Sequence, residues 1–215
     1  MAEISLSGAN KCPSSSRGSR LWLVPEGLRL LGVLLAAPWA RRPVRVRAGE
    51  GQRSLPGDER VPSPKVVWTH AITIAARPDQ VWPWLVQMGC RRGGWYSYDG
   101  LDNGGVASAD RIVPELQQVE VGDVFPMTPK AEDAFVVRAV EPERELVFGD
   151  ASGSASWAFL LEPVGEEGTR LLTRSSGSYR HVLVGLLLRV FLRPVHFGMQ
   201  RRQLLNLKRR VEAFS

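Results

Sequence analysis

Four side chains able to hold or move a proton, Tyr96, Tyr98, Asp99 and Asp102, fall within seven residues of one another in the stretch GCRRGGWYSYDGLDNGG. A phenol and a carboxylate set in an aromatic wall can orient or protonate a bound carbonyl, which makes Tyr98 and Asp99 the candidate acid and base. The same residues also read as turn chemistry. Asp99-Gly100 and Asp102-Asn103-Gly104 put short acceptors beside backbone amides that they can cap. Other chemistries lack their residues. His70, His181 and His196 are scattered, with no HxH, HExxH or paired-cysteine pattern, so no metal site is expected. There is no Gly-x-Ser-x-Gly elbow, Walker loop or GxGxxG, and no cofactor is expected.

The elements that must position this stretch are legible on both sides of it. Residues 66–75 are rich in β-branched side chains and lie between Pro64 and Pro78, which predicts a first strand. Pro78, Asp79 and Gln80 then suit a helix start, with Val81, Trp82, Leu85 and Val86 at helical spacing. Pro83 predicts a kink or a tight first turn there. Beyond the glycine-rich stretch, turn signals separate five runs of strand character, at 124–127, 135–140, 145–148, 156–162 and 169–175. In the fourth run Trp157, Phe159 and Leu161 share one face, with Leu160 out of pattern on the other. In the fifth, Arg170 and Arg174 share a face with Leu172, which leaves Leu171, Thr173 and Ser175 for the interior. Residues 182–192 and then 194–214 read as helical. Phe197, Leu204, Leu207, Val211 and Phe214 form the apolar stripe of the second, and Arg202, Asn206, Arg209 and Arg210 point away. The expected class is α+β: short helices after the first strand, then a curved antiparallel sheet wrapped around a long C-terminal helix. A sheet that curls around one helix without filling the space beneath it leaves an apolar pocket.

The succession ITIAARPDQVWPWLVQMG, RGGWYSYDGLDN, RIVPELQQVEVGDVFP, TRLLTR and PVHFGMQRRQLLNLKRRVE resembles bacterial members of the SRPBCC (START/Bet v1-like, helix-grip) superfamily, in its polyketide cyclase-like branch. The resemblance spans residues 55–211. It implies a hydrophobic cavity under the C-terminal helix, in a superfamily of lipid and polyketide binders, cyclases and subunits of larger assemblies, and no single reaction. On this reading Trp95, Tyr96, Tyr98, Phe135, Trp157, Phe159, Phe197 and Leu204 form the ligand-binding set, and each buried aromatic contributes about 1.5–3 kcal/mol. Trp82, Trp84, Trp95 and Trp157 read as core rather than as a cofactor platform, and in a helix-grip fold core and cavity wall are often the same residues. The expected function is binding of a hydrophobic, lipid- or polyketide-like small molecule. The alternatives are a cyclase or dehydratase using Tyr98 and Asp99, or a membrane-surface interaction protein.

The remainder of the chain limits these readings. At 215 residues, 44% apolar and 23% charged, it matches one globular domain with a tail. The first 60 residues hold 10 Lys and Arg against 5 Asp and Glu, so they carry +5 of the total +6. No reading element for nucleic acid accompanies that charge, and none is expected as a partner. Residues 1–20 are polar and Ser/Gly-rich, which predicts a disordered tail. Residues 21–60 read as an apolar and basic segment followed by a Pro/Gly-rich linker, and residues 61–215 as the domain. The clean apolar run at 30–37 is too short to span a bilayer. Residues 21–47 fit either a short helix packed on the domain or one lying on a membrane surface, with Arg41, Arg42, Arg45 and Arg47 against lipid phosphates. Cys12 and Cys90 lack partners at metal spacing and read as reduced thiols, which points to the cytoplasm.

Overall fold

A computed structural model describes residues 26, 28, 31, 32, 44–129, 134–150, 152–178 and 193–214. The expected tail at 1–20, the helix at 182–192, His181, and Arg41 and Arg42 lie outside the described residues, as does most of the segment 21–43.

Strand β1 (Val66–Ile74) is followed by helix α1 (Pro78–Val86) and the four-residue α2 (Asp99–Asp102). The strands β2 (Val124–Pro126), β3 (Ala134–Glu141), β4 (Glu145–Gly149), β5 (Ala155–Val164) and β6 (Gly168–Gly177) come next, and α3 (Arg193–Ala213) closes the order. All six strands form one curved antiparallel sheet in the order β1-β6-β5-β4-β3-β2. The first strand therefore pairs with the last while the others run as a meander. This is the helix-grip arrangement. Each expected strand appears within two residues of its expected bounds, because alternation marks a strand that buries one face. α1 starts on Pro78, where no amide hydrogen is needed, and the Arg77 amide donates to Gln80 Oε1 at 3.0 Å. The helix continues through Pro83 as a single nine-residue element.

The concave face of the sheet carries the main core: Ile72, Ile74, Leu146, Phe148, Phe159, Leu161 and Leu171, packed against Val81, Trp84 and Leu85 of α1 and Leu204, Leu207 and Val211 of α3. Two details of α3 depart from the helical-wheel reading. Phe214 lies past the helix end and is exposed, although its ring stays 5.7 Å from Trp84. Of the four residues expected to point away, only Arg209 is exposed. Asn206 donates to the Tyr96 carbonyl at 2.8 Å, Arg210 donates to the Ala109 carbonyl at 2.8 Å, and the Arg202 guanidinium lies 4.2 Å from the Tyr98 ring centre. The polar side of α3 holds the glycine-rich loop instead of facing water.

The convex face is covered as well. Residues 44–61 cross it as a strap in which Val44, Leu55 and Val61 are buried, and Leu55 joins Ala71, Leu160 and Leu172 in a second small core. That cluster accounts for Leu160, the residue out of pattern. Arg170 donates twice to the Glu50 carboxylate, at 2.9 and 2.8 Å, and once to the Arg45 carbonyl at 2.8 Å. Arg174 reaches Asp58 at 2.5 Å and the carbonyls of Arg53 and Gly51 at 2.9 and 3.0 Å. The packed unit thus begins before the Val61 boundary expected from composition. Proline and glycine suppress regular structure in the strap without preventing burial, since arginine side chains satisfy its carbonyls. Of the segment 21–47, Glu26 also contacts the domain: its carboxylate accepts from the Gly100 amide at 2.6 Å and lies 3.7 Å from Arg202. No helix among the described residues is long and apolar enough to cross a membrane.

Candidate functional site

The concave face of the sheet is not uniformly filled. At one end of its three central strands large residues meet, with Leu161 opposite Leu171 and Leu171 opposite Ile72. At the other end β6 gives this face only small residues: Gly177 lies opposite Ala155 and Val66, and Ser175 opposite Trp157 and Trp68. A cavity of about 510 Å3 opens there between the sheet and α3. The sheet contributes Val66 and Trp68 from β1, Phe135 from β3, and the small residues of β5 and β6. Met127 and Trp95 form the flank, and His196, Met199, Gln200 and Gln203 of α3 form the roof. The signal in the sequence was the pair of small-residue runs GSAS and SSGS at 153–156 and 175–178. Two residues of the first run and three of the second lie inside strands.

Trp95, Phe135 and Trp157 stand in the wall, as expected, with ring centres 5.4 to 6.5 Å apart. Their polar atoms are spent: Trp95 Nε1 donates to the Met127 carbonyl at 3.2 Å and Trp157 Nε1 to Thr173 Oγ1 at 2.9 Å. The indoles therefore offer the cavity only hydrocarbon and π faces. The other members of the expected ligand-binding set lie outside the wall. Phe159 sits behind Trp157 at 4.8 Å, fully buried in the core, and Leu204 is likewise core. Phe197 packs beside His70 at 5.7 Å. Tyr98 is buried beneath Arg202.

Tyr96 and Asp99 are structural. Tyr96 takes a positive φ of 56° and its hydroxyl accepts from Gln87 Nε2 at 2.8 Å, while burial pushes its phenol up to about 12. Gln87, fully buried, is the hub of the loop: its amide also donates to the Arg111 carbonyl at 3.1 Å and its oxygen accepts from the Val113 amide at 2.9 Å. Gly94 has a φ of 77°, and a Cβ on it would overlap Ser108, so no larger residue fits. Asp99 was the candidate base. Both of its oxygens are taken by Ser108, one by the amide at 3.1 Å and the other by the hydroxyl at 2.5 Å. It is a turn residue, held away from the cavity.

The carboxyl that faces the cavity is Asp102, three residues on, at the end of α2. It is 7% exposed, and its Oδ1 has no hydrogen-bond partner. Burial first, then the nearby Asp99 charge, raises its pKa to about 7. His196, which the sequence places on the last helix near the pocket mouth, also lines the wall. Its Nε2 lies 3.2 Å from Ser175 Oγ, and its ring centre is 4.4 Å from that of Trp68. Burial and the neighbouring His70 lower its pKa to about 3, so it is neutral at physiological pH. The arrangement can enclose an apolar body and present one carboxyl, poised between its two protonation states, to that body's polar end.

No protein-family model matches the chain, and no curated protein matches it. Solved structures do. The protein MLL2253 from Mesorhizobium loti is 15% identical, with 70% of this chain and 99% of that chain covered at a TM-score of 0.41. The KanY protein is 16% identical, with 68% and 97% covered and a TM-score of 0.46. The Polyketide_cyc-like protein Cgl2372 from Corynebacterium glutamicum is 17% identical, with 71% and 90% covered and a TM-score of 0.35. The strand order and the gripped helix of this chain are in themselves the helix-grip fold, the architecture of the SRPBCC superfamily that its sequence segments resemble.

Proposed function

We propose that the protein binds an apolar small molecule, lipid-like or polyketide-like, between its sheet and α3. The observation that carries this reading is the cavity of about 510 Å3, walled by Trp68, Trp95, Met127, Phe135 and Trp157. Ligand sites in proteins commonly fall between about 300 and 1,000 Å3, with apolar walls and few polar groups. The test is solvent extraction and mass spectrometry of the purified chain, with thermal melts against a library of hydrophobic compounds. A co-purifying apolar molecule or a raised melting temperature supports the reading. An empty protein whose melting ignores the whole library refutes it.

A cyclase or dehydratase is the second reading, and it moves to a different residue. Asp99 is engaged by Ser108, whereas Asp102 faces the cavity with a pKa near that of an efficient acid–base catalyst. Turnover of a polyketone substrate would then vanish in Asp102→Asn while binding persists. Unchanged rates in that variant would exclude the residue.

A further inference from the structure

The cavity is chemically one-sided. Most of the polar groups on its wall are spent on protein partners. The indole nitrogens of Trp95 and Trp157 are bonded as described, Ser97 Oγ donates to the Met199 carbonyl at 3.2 Å, and Gln200 Nε2 donates to Gln203 Oε1 at 2.6 Å. His196 Nδ1 is unpartnered, and whether it donates or accepts depends on the ring's tautomer. Asp102 Oδ1 is a carboxyl oxygen buried on that wall without a partner. A buried acceptor left unpaired costs about 1–3 kcal/mol, so a guest that donates to it recovers more than its apolar contacts alone provide.

The surrounding charges sharpen this preference. Asp99, on the same short helix, and Glu26, on the N-terminal segment, both add negative potential at Asp102. From α3, Arg202 lies 3.7 Å from Glu26, and Arg210 acts on Asp99. Among the described residues no arginine or lysine forms an ion pair with Asp102 itself, and the neutral His196 supplies no countercharge. Once Asp102 is ionised, a ligand carboxylate at this end therefore meets like charge in a poorly solvated space.

We propose that the cavity selects, among apolar molecules, those whose polar end donates a hydrogen bond to Asp102, namely alcohols and amines, and discriminates against carboxylates. The inference rests on the cavity being a ligand site and adds which ligands it takes. An alcohol is served by either form of Asp102. A protonated amine needs the ionised form and draws the proton off as it binds.

The test uses the full chain and three rigid probes of one shape, adamantan-1-ol, adamantan-1-amine and adamantane-1-carboxylate, titrated calorimetrically or by tryptophan fluorescence. An apolar naphthalene dye serves as an independent reporter of the cavity. The alcohol and the amine are expected to bind at least about tenfold tighter than the carboxylate near pH 8, where Asp102 is ionised, since one charge-assisted hydrogen bond is worth that much. Between about pH 6 and pH 8 the amine's affinity should rise by roughly tenfold as Asp102 ionises, while the alcohol's stays level. In Asp102→Asn the amine's advantage over the carboxylate should shrink to less than about threefold. If that variant fails to fold, the comparison in the native chain decides alone. Equal binding of amine and carboxylate, with the dye still bound, overturns the selectivity and leaves the cavity reading intact. Failure of all three probes and of the dye overturns both.

Discussion

Replacing Asp102 by asparagine should make the protein more stable, and only at higher pH. The side chain is 7% exposed and its pKa is raised from the ordinary 3.8 to about 7. An unfolded chain loses this proton near the ordinary value, whereas the folded chain keeps it until about neutrality, so between the two the native state binds the extra proton. Stability then falls as pH rises through that window, with the full loss present above about pH 7. Each factor of ten in proton affinity is worth ~1.4 kcal/mol, which bounds the effect at ~4 kcal/mol, and relaxation around the charged form brings the expectation to about 2 kcal/mol. Asparagine keeps the shape and never ionises. Its oxygen can accept from the Tyr98 backbone as the carboxyl does. Urea unfolding should show the variant about 2 kcal/mol more stable than the parent near pH 8 and equal to it within ~0.5 kcal/mol near pH 4, with m unchanged. The matching rise in melting temperature is roughly 4–8 °C at the higher pH. The reasoning is wrong if the difference between the two proteins is the same at both pH values, or if the variant is the less stable one at pH 8.

Arg170→Met should cost about 3–5 kcal/mol in urea unfolding, because it strands the Glu50 carboxylate, 12% exposed, under the strap. A loss below ~1 kcal/mol would mean the strap is not held there. Hydrogen bonds from Arg170 hold Glu50 below the usual glutamate range, so this stabilisation is complete above that range and fades as pH falls through the lowered value. The gap between the parent and Glu50→Gln should accordingly close in acid. Gln87→Leu should remove about 2–3 kcal/mol and expose the amides of 89–113 to faster hydrogen exchange, since it unties the loop's hub. Exchange unchanged there would contradict that role. Ser175→Leu places new apolar volume on the concave face, so it should weaken binding of an apolar dye at least tenfold while changing stability by less than ~1.5 kcal/mol. A destabilisation of ~3 kcal/mol would instead indicate overpacking of a filled core.

What could be read from the sequence follows from how local each signal is. The strands and the buried stripe of α3, Leu204, Leu207 and Val211, were legible because periodicity reports which face is buried. Periodicity says nothing about what lies opposite, so Arg202, Asn206 and Arg210 read as solvent-facing although they hold the loop. Trp95, Phe135 and Trp157 were found by their bulk. Phe159 and Leu204 share that bulk and ended in the core, because the composition of one strand cannot tell a wall from the layer behind it. Asp99 and Asp102 are alike in type and turn context. The choice between them is made by Ser108, nine residues from Asp99, whose hydroxyl and amide turn that carboxyl inward. Trp68 joins the wall by meeting His196, 128 residues further on, a contact of which the β1 segment carries no local trace.

The two faces of the sheet explain how a hollow can persist in a stable domain. A cavity forfeits dispersion contacts, so an empty space on the concave side needs stabilisation from elsewhere. Part of it comes from the convex side, where the strap buries Leu55 against Leu160 and Leu172 and fixes β6 through Arg170 and Arg174. Those arginines also bond Thr73 and Thr69 of β1, at 3.2 and 3.0 Å, so the same side chains join the strap to the two strands whose ends border the cavity. β6 can then carry Ser175 and Gly177 on the concave side of its open end without depending on large side chains beneath them. Along the single sequence TRLLTRSSG the arginines that secure the strand point to one face and Ser175 and Gly177, which open the cavity, to the other, with polarity on one side of the sheet balancing absence on the other.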